Sequence, residues 1–297
     1  MAHGTLVNFV AQHAHAGRLK RARVRRLRPV RPDRRVEAWY RGELLAIVKR
    51  CMTVVDETVV AGMRPRWPAV ADSVAPGLGD LLREAAYRLG NIGAVAERLT
   101  NIADKFSLIR RGLASVDARL VSAVRSAMGV DITWLLGGPG TIAQSMAHAA
   151  KVNVELIKSI PAQYLEKVRE AVEKSFATGQ RWESTVEAIQ HAGEVTKSRA
   201  KLIARDQVSK INADFNRIRQ TSIGIKQYTW STARDERVRS SHRALDGTTQ
   251  EWNKPPLVDG EAVNPGDAVN CRCTAIPQVN LDEIPVAGAA AAYAEAA

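Results

Sequence analysis

Two cysteines, one histidine and one aspartate toward the end of the chain have the residue types and spacing of a metal or sulfur site: Asp235, His242, Cys271 and Cys273. The chain has three cysteines and six histidines in all, so this stretch is enriched in soft ligands. On a helix over 235–245, Asp235 and His242 would stand seven residues apart, on one face and two turns from each other. On a strand over 270–277, Cys271 and Cys273 would point the same way, because strand side chains alternate. A strand beside that helix would assemble a His-Cys-Cys-Asp set, which zinc accepts. The plainer alternative is a knot without metal, in which His242 hydrogen-bonds the cysteine-bearing strand and Asp235 caps its helix. The C-x-C spacing is tighter than the usual C-x2–4-C of structural zinc sites, so both readings stand. Neither needs a cofactor beyond a structural zinc. A Cys271–Cys273 disulfide would close a strained, very short loop. Cys51, in an apolar stretch, reads as a buried thiol.

These residues need elements to hold them. Residues 225–230 alternate as a short strand carrying Trp230. Gly247 reads as the stop of the helix at 235–245, and 248–269 as a loop with Pro255, Pro256 and Pro265. No strand alternation precedes residue 220, and after a polar basic arm over 1–36 the chain reads as helical. Apolar residues recur at helical spacing over 36–63, 81–89, 95–106 and 113–128. From 141 a helix carries Leu156, Ile157, Ile160, Tyr164, Leu165, Val168, Val172 and Phe176 on one face, and Gly179 ends it. A short helix at 182–189 and a long one at 196–221 follow. Gly137-Gly138-Pro139-Gly140 lacks the lysine of a phosphate loop and reads as a hinge. The expected fold is mainly α, with elongated N-terminal and middle helical regions and a small α+β C-terminal module. The expected boundaries are 1–36, 37–140, 141–222, 223–280 and a tail at 281–297.

The ordered run Asp235, Arg237, Val238, Arg239, His242, Leu245, Asp246, Gly247, Asn270, Cys271, Arg272, Cys273 resembles the C-terminal module of the phage Mu F-like head morphogenesis family, minor head proteins of tailed phages. Ile203-Ala204-Arg205-Asp206 extends the likeness upstream. Many relatives carry a cysteine near position 239 and a histidine just before N-C-R-C, where this chain has Arg239 and Val269. The resemblance implies a protein that enters the procapsid near the portal and touches portal, major capsid or scaffold protein. It implies a place in the virion, in the head interior or portal region, after assembly in the host cytoplasm. It also implies structural roles for Trp230, Arg237, Asp246, Gly247, Asn270 and Arg272.

The net charge of +12 is concentrated. Arg18, Lys20, Arg21, Arg23, Arg25, Arg26, Arg28, Arg31, Arg34 and Arg35 face Asp33 alone, so +9 lies within 18–35. Such an arm should be disordered until it meets a polyanion. Duplex DNA, with one charge per ~1.7 Å of axis, suits it without sequence reading. No aromatics interleave to stack single-stranded bases. No apolar run approaches the ~20 residues needed to span a bilayer, so no membrane partner is expected. The leading expectation is a non-enzymatic head protein bound to double-stranded DNA. Two rivals remain: a metal-dependent nucleic-acid-processing enzyme using the His/Cys cluster, and a scaffold or adaptor whose arm binds protein.

Overall fold

A computed structural model describes Leu6 and residues 24–67, 77–136 and 140–280. Arg18, Lys20, Arg21, Arg23, the glycine-rich hinge at 137–139 and the tail at 281–297 lie outside the described residues. In order, the elements are β1 (Val24–Arg26), α1 (Arg34–Val55), α2 (Leu78–Arg88), α3 (Ile92–Thr100), α4 (Leu108–Met128), α5 (Gly140–Ala177), α6 (Trp182–Ser222), β2 (Gln227–Ser231), α7 (Ser240–Ala244), β3 (Thr249–Glu251), β4 (Leu257–Val258), β5 (Glu261–Ala262) and β6 (Thr274–Asn280). The fold is mainly α with a small C-terminal α+β module, as the periodicity implies. Among the described residues, no helix is long and apolar enough to cross a membrane.

The chain divides into two compact units. One comprises Arg34–Leu108 and Ala149–Gln207. Its core stripe on α5 is Ile157, Ile160, Tyr164, Val168, Val172 and Phe176, all buried, whereas Leu156 and Leu165 are only half-buried at its margin. Pro161 removes one backbone hydrogen bond inside α5, and the buried stripe continuing on both sides offsets that loss. Asn153, also buried, accepts from the Tyr40 hydroxyl at 3.0 Å and donates to Gln207 at 3.2 Å, so α1, α5 and α6 share one satisfied polar contact. The expected break between helices at 182–189 and 196–221 does not occur, because α6 runs unbroken through Gly193. That glycine fits against Met52, whose Cε would lie 2.7 Å from an added Cβ. Close packing, and not chain termination, is what the position needs.

The other unit draws on the described residues of Met1–Asp33, Ile109–His148 and Val208–Ala297. Its four-stranded antiparallel sheet has the order β1-β6-β2-β3, and β4 pairs with β5 as a separate hairpin. Strand β1 corrects the expectations that no strand precedes residue 220 and that the arm is without regular structure at 24–26, and three residues are too few to show a period. The arm is therefore built into the fold from Val24, with Leu27 and Val30 buried behind the strand. Pro277 sits in the central strand β6, which ordinarily excludes proline. Its carbonyl accepts from Leu27 N–H, one residue past the end of β1. The absent N–H therefore faces the point where β1 pairing stops. The D-G pair Asp259-Gly260, at φ 53° and 88°, makes the β4–β5 turn, a two-residue hairpin signal that a loop reading of 248–269 passes over.

Gly179 and Gly224 close α5 and α6 with left-handed backbone, at φ 65° and 86°. Gln180 N–H reaches Ser175 O and Ile225 N–H reaches Gln220 O, the six-to-one bond of a Schellman cap. Val168→Asp should lower stability by about 3 kcal/mol or more, since a carboxylate would be forced into the α5 core unpaired. Glu170→Gln, on the exposed face, should stay within about 0.5 kcal/mol. Urea denaturation followed by circular dichroism separates the two outcomes.

Candidate functional site

The module is small and its core is built from few side chains. Tyr228, Trp230, Cys271, Cys273 and Ala275 are buried together, with Leu245, Trp252, Val263 and Ala268 packed on them. Alternation along β2 sends Tyr228 and Trp230 inward. Tyr228 stacks at a tilt on Trp252, with ring centroids 4.2 Å apart.

His242 lies on α7, and the two cysteines lie just ahead of β6. His242 Nδ1 is 3.5 Å from Cys271 Sγ and 3.5 Å from Cys273 Sγ. All three residues are buried, at 4%, 4% and 8% exposure. Trp230 meets the His242 ring edge-on, with centroids 5.5 Å apart and planes at 80°. The Cys273 S–H donates to the Cys271 sulfur, which also accepts from the backbone N–H groups of Cys273 and Gly266. These bonds pull the Cys271 pKa down to about 5. Cys273, holding the donated proton and buried, is pushed up. Cys51 lies apart from this cluster, and burial raises its pKa to about 12.

Asp235 does not join the set. The expected helix over 235–245 begins only at Ser240. Arg234 takes a left-handed φ of 57°, Val238 N–H bonds Asp235 O at 3.2 Å, and the Asp235 carboxylate accepts from Arg237 N–H. This local Asx turn competes successfully with the helix. The carboxylate then grips Arg272 in a two-pronged pair, at 2.6 and 2.7 Å. The Cys271-Arg272-Cys273 order follows from this: the sulfurs face His242 and the guanidinium between them faces Asp235.

Asn270 carries a left-handed φ of 59°, which asparagine tolerates better than most side chains. Its turn brings Cys271 N–H onto Ala268 O at 3.0 Å. Gly247, at φ 82°, has open space where a Cβ would stand, so its requirement is purely conformational. Its N–H bonds Trp230 O at 2.8 Å. Asp246 accepts from Thr232 N–H at 2.8 Å and from Arg234 at 3.0 Å. Arg237 contributes through its backbone, and its side chain is exposed. Arg239 and Val269 are joined, the guanidinium donating to the Val269 carbonyl at 2.9 Å. Spacing alone does not single out Gly266, yet it matters twice: its N–H reaches Cys271, and an added Cβ would lie 2.5 Å from Ala213 on α6.

The basic residues divide in their use. Arg25 donates to the Ala127 carbonyl at 3.0 Å, at the C-terminal end of α4, where a cation complements the helix dipole. Arg26, Arg28 and Arg31 are exposed in the same unit, and Arg34 and Arg35 are exposed on the first turn of α1.

The architecture is thus a helical protein carrying a compact α+β module whose strands are tied by sulfur, imidazole and an arginine–carboxylate fork. Residues 166–276 match the family described as Phage Mu protein F like protein. The matched stretch takes in the end of α5, all of α6 and most of the module. A Haemophilus influenzae (strain ATCC 51907 / DSM 11121 / KW20 / Rd) protein described as uncharacterized is 33% identical over 267 residues. The match takes in 89% of this chain and 58% of that relative's length. No solved structure matches.

Arg272 holds the Asp235 carboxyl below the ordinary carboxylate range, and the Thr232 N–H does so for Asp246. A lowered folded pKa stabilises fully above the unfolded value of about 3.9 and loses its effect as pH falls through the folded value. The module should therefore keep these two contributions at pH 5–8 and lose them below about pH 4. Asp246→Asn should flatten that acid limb and lower neutral-pH stability by about 1.5–3 kcal/mol, as urea unfolding at pH 3 and pH 7 would show.

Proposed function

We propose that the protein is a minor head protein acting in procapsid assembly and in packaging or delivery of DNA, near the portal. The observation that carries this reading is the Mu F-like domain over residues 166–276. The physical character of the chain supports it. Its described elements are long helices with continuous apolar faces and a tied α+β module, the build of a protein that packs on other proteins. The buried His242–Cys271–Cys273 cluster holds elements together, so the role assigned here is structural and not catalytic. Portal, major capsid or scaffold protein are the proposed protein partners.

Double-stranded DNA is the proposed polyanion for the basic arm. Arg18, Lys20, Arg21 and Arg23 precede β1 in the sequence, and Arg26, Arg28 and Arg31 are exposed beside it. Contacts of this kind read phosphate and not sequence.

Truncation at residue 36 is a poor test, because it would also strip β1, Leu27 and Val30 from the sheet and core. Charge neutralisation avoids this. Replacing Arg18, Lys20, Arg21, Arg23, Arg26, Arg28 and Arg31 with glutamine should leave the fold intact and weaken binding to random-sequence duplex DNA. For every phosphate that the substituted arm no longer neutralises, the slope of log K against log salt should become shallower by about 0.9. Equal affinity and slope for the two proteins at matched salt would reject DNA as the partner. Procapsids assembled in a host infected by the parent phage should contain the protein, and their lacking it would reject the head assignment.

A further inference from the structure

We propose that His242, Cys271 and Cys273 form a zinc site, with water completing the tetrahedron. The three donor atoms lie within 4.8 Å of one another, on buried residues from two separate segments of the chain. The equal spacing of His242 Nδ1 from the two sulfurs, 3.5 Å each, discriminates between the alternatives. An imidazole nitrogen offers one lone pair or one N–H in the ring plane. It cannot make a well-directed hydrogen bond to two sulfurs at once. A metal ion among the three atoms removes that conflict, because each donor then points at a common centre. Tetrahedral angles with Zn–S of about 2.3 Å and Zn–N of about 2.0–2.1 Å put sulfur and nitrogen about 3.5–3.6 Å apart. The observed spacing is therefore that of a preformed site.

A second observation points the same way. Trp230 is fully buried, and its Nε1 has no standard hydrogen-bond partner. A buried indole N–H without a partner is costly. Trp230 is buried in one cluster with Cys271 and Cys273, and its ring meets His242 edge-on. Backbone N–H groups of Cys273 and Gly266 reach Cys271 Sγ. Donors gathered around sulfur in this fashion orient the ligands of a metal and spread their negative charge. Asp235 is excluded as the fourth ligand, because Arg272 occupies both its oxygens.

In the bound state both cysteines are thiolates, so one Zn2+ gives a neutral bis-thiolate centre with neutral imidazole and water. The ion would join α7 to the lead-in of β6 and close the chain between them, where large apolar side chains are scarce. The neutral centre also suits its burial, since an uncompensated charge there would be expelled. Zinc fits the donor set better than magnesium or calcium, which take oxygen ligands.

The test uses the full chain, purified from zinc-replete cells under reducing conditions. Metal content by plasma mass spectrometry should give one zinc per chain. Cobalt substitution should produce a sulfur-to-metal charge-transfer band. The Cys271→Ser/Cys273→Ser variant should lose zinc by about tenfold or more, whereas Cys51→Ala should keep it. His242→Cys replaces one zinc ligand by another and should also keep it, which holds the test open if the serine variant misfolds. Removing zinc with a chelator should lower the wild-type Tm, and adding it back should restore it, as linkage requires. A folded wild-type protein that neither contains zinc nor gains Tm when zinc is added would overturn the proposal. So would zinc retained in full by the doubly substituted protein.

Discussion

From Cys271 into β6 the backbone sends successive side chains to opposite sides. That one constraint organises the C-terminal module. Cys271 and Cys273 turn inward to His242 and Trp230, while Arg272 turns outward to Asp235. The inward contacts bind α7 to the sheet, and the outward fork pins the turn that leads into α7. A register slip of one residue would exchange the two sets, burying a guanidinium and exposing both sulfurs. The left-handed turn at Asn270 sets the phase, and the pairing of β6 with β2 over five residues maintains it.

The end of α6 carries the module. Arg219 grips Asp117 of α4 with two bonds, at 2.8 and 3.0 Å, and is itself almost wholly buried. Burial pushes the Asp117 carboxyl upward, and Arg219 opposes that shift. Gln220 accepts from the Trp252 indole at 3.3 Å, and Asn212 donates to the Val30 carbonyl at 3.0 Å. The last turns of α6 thus hold α4, the segment behind β1 and the module through polar groups that are paired with one another. Such a set favours one arrangement over near alternatives, because each group left unpaired would cost about 1–3 kcal/mol.

The basic segment has two uses within a short span. Arg25 is committed to the C-terminal end of α4, and Leu27 and Val30 to the core. Arg26, Arg28 and Arg31 are interspersed with them and remain exposed. The folded edge beside β1 therefore presents cationic side chains on an ordered backbone. The polyanion partner proposed above would find part of its binding surface already ordered, which would reduce the entropy lost on association.

The sequence by itself determined the long helices, because a 3.6-residue apolar period over many turns has few other solutions. It also marked the chemistry of the module, since the types and order of His242, Cys271, Arg272 and Cys273 carry the family likeness. Short elements are not legible in it. Three-residue β1 has no measurable period, and its strand character comes from pairing with β6, more than 250 residues along the chain. The continuity of α6 across 190–195 is not legible either, because the partner that needs a small residue at Gly193, Met52, is remote along the chain. Asp235 resembles a ligand because its spacing to His242 fits a helix. Only the tertiary structure supplies Arg272 as the competing partner and the turn that takes Asp235 out of that helix. Local periodicity reports what one segment can do alone, whereas these outcomes depend on which distant group satisfies a charge, fills a gap or completes a ladder.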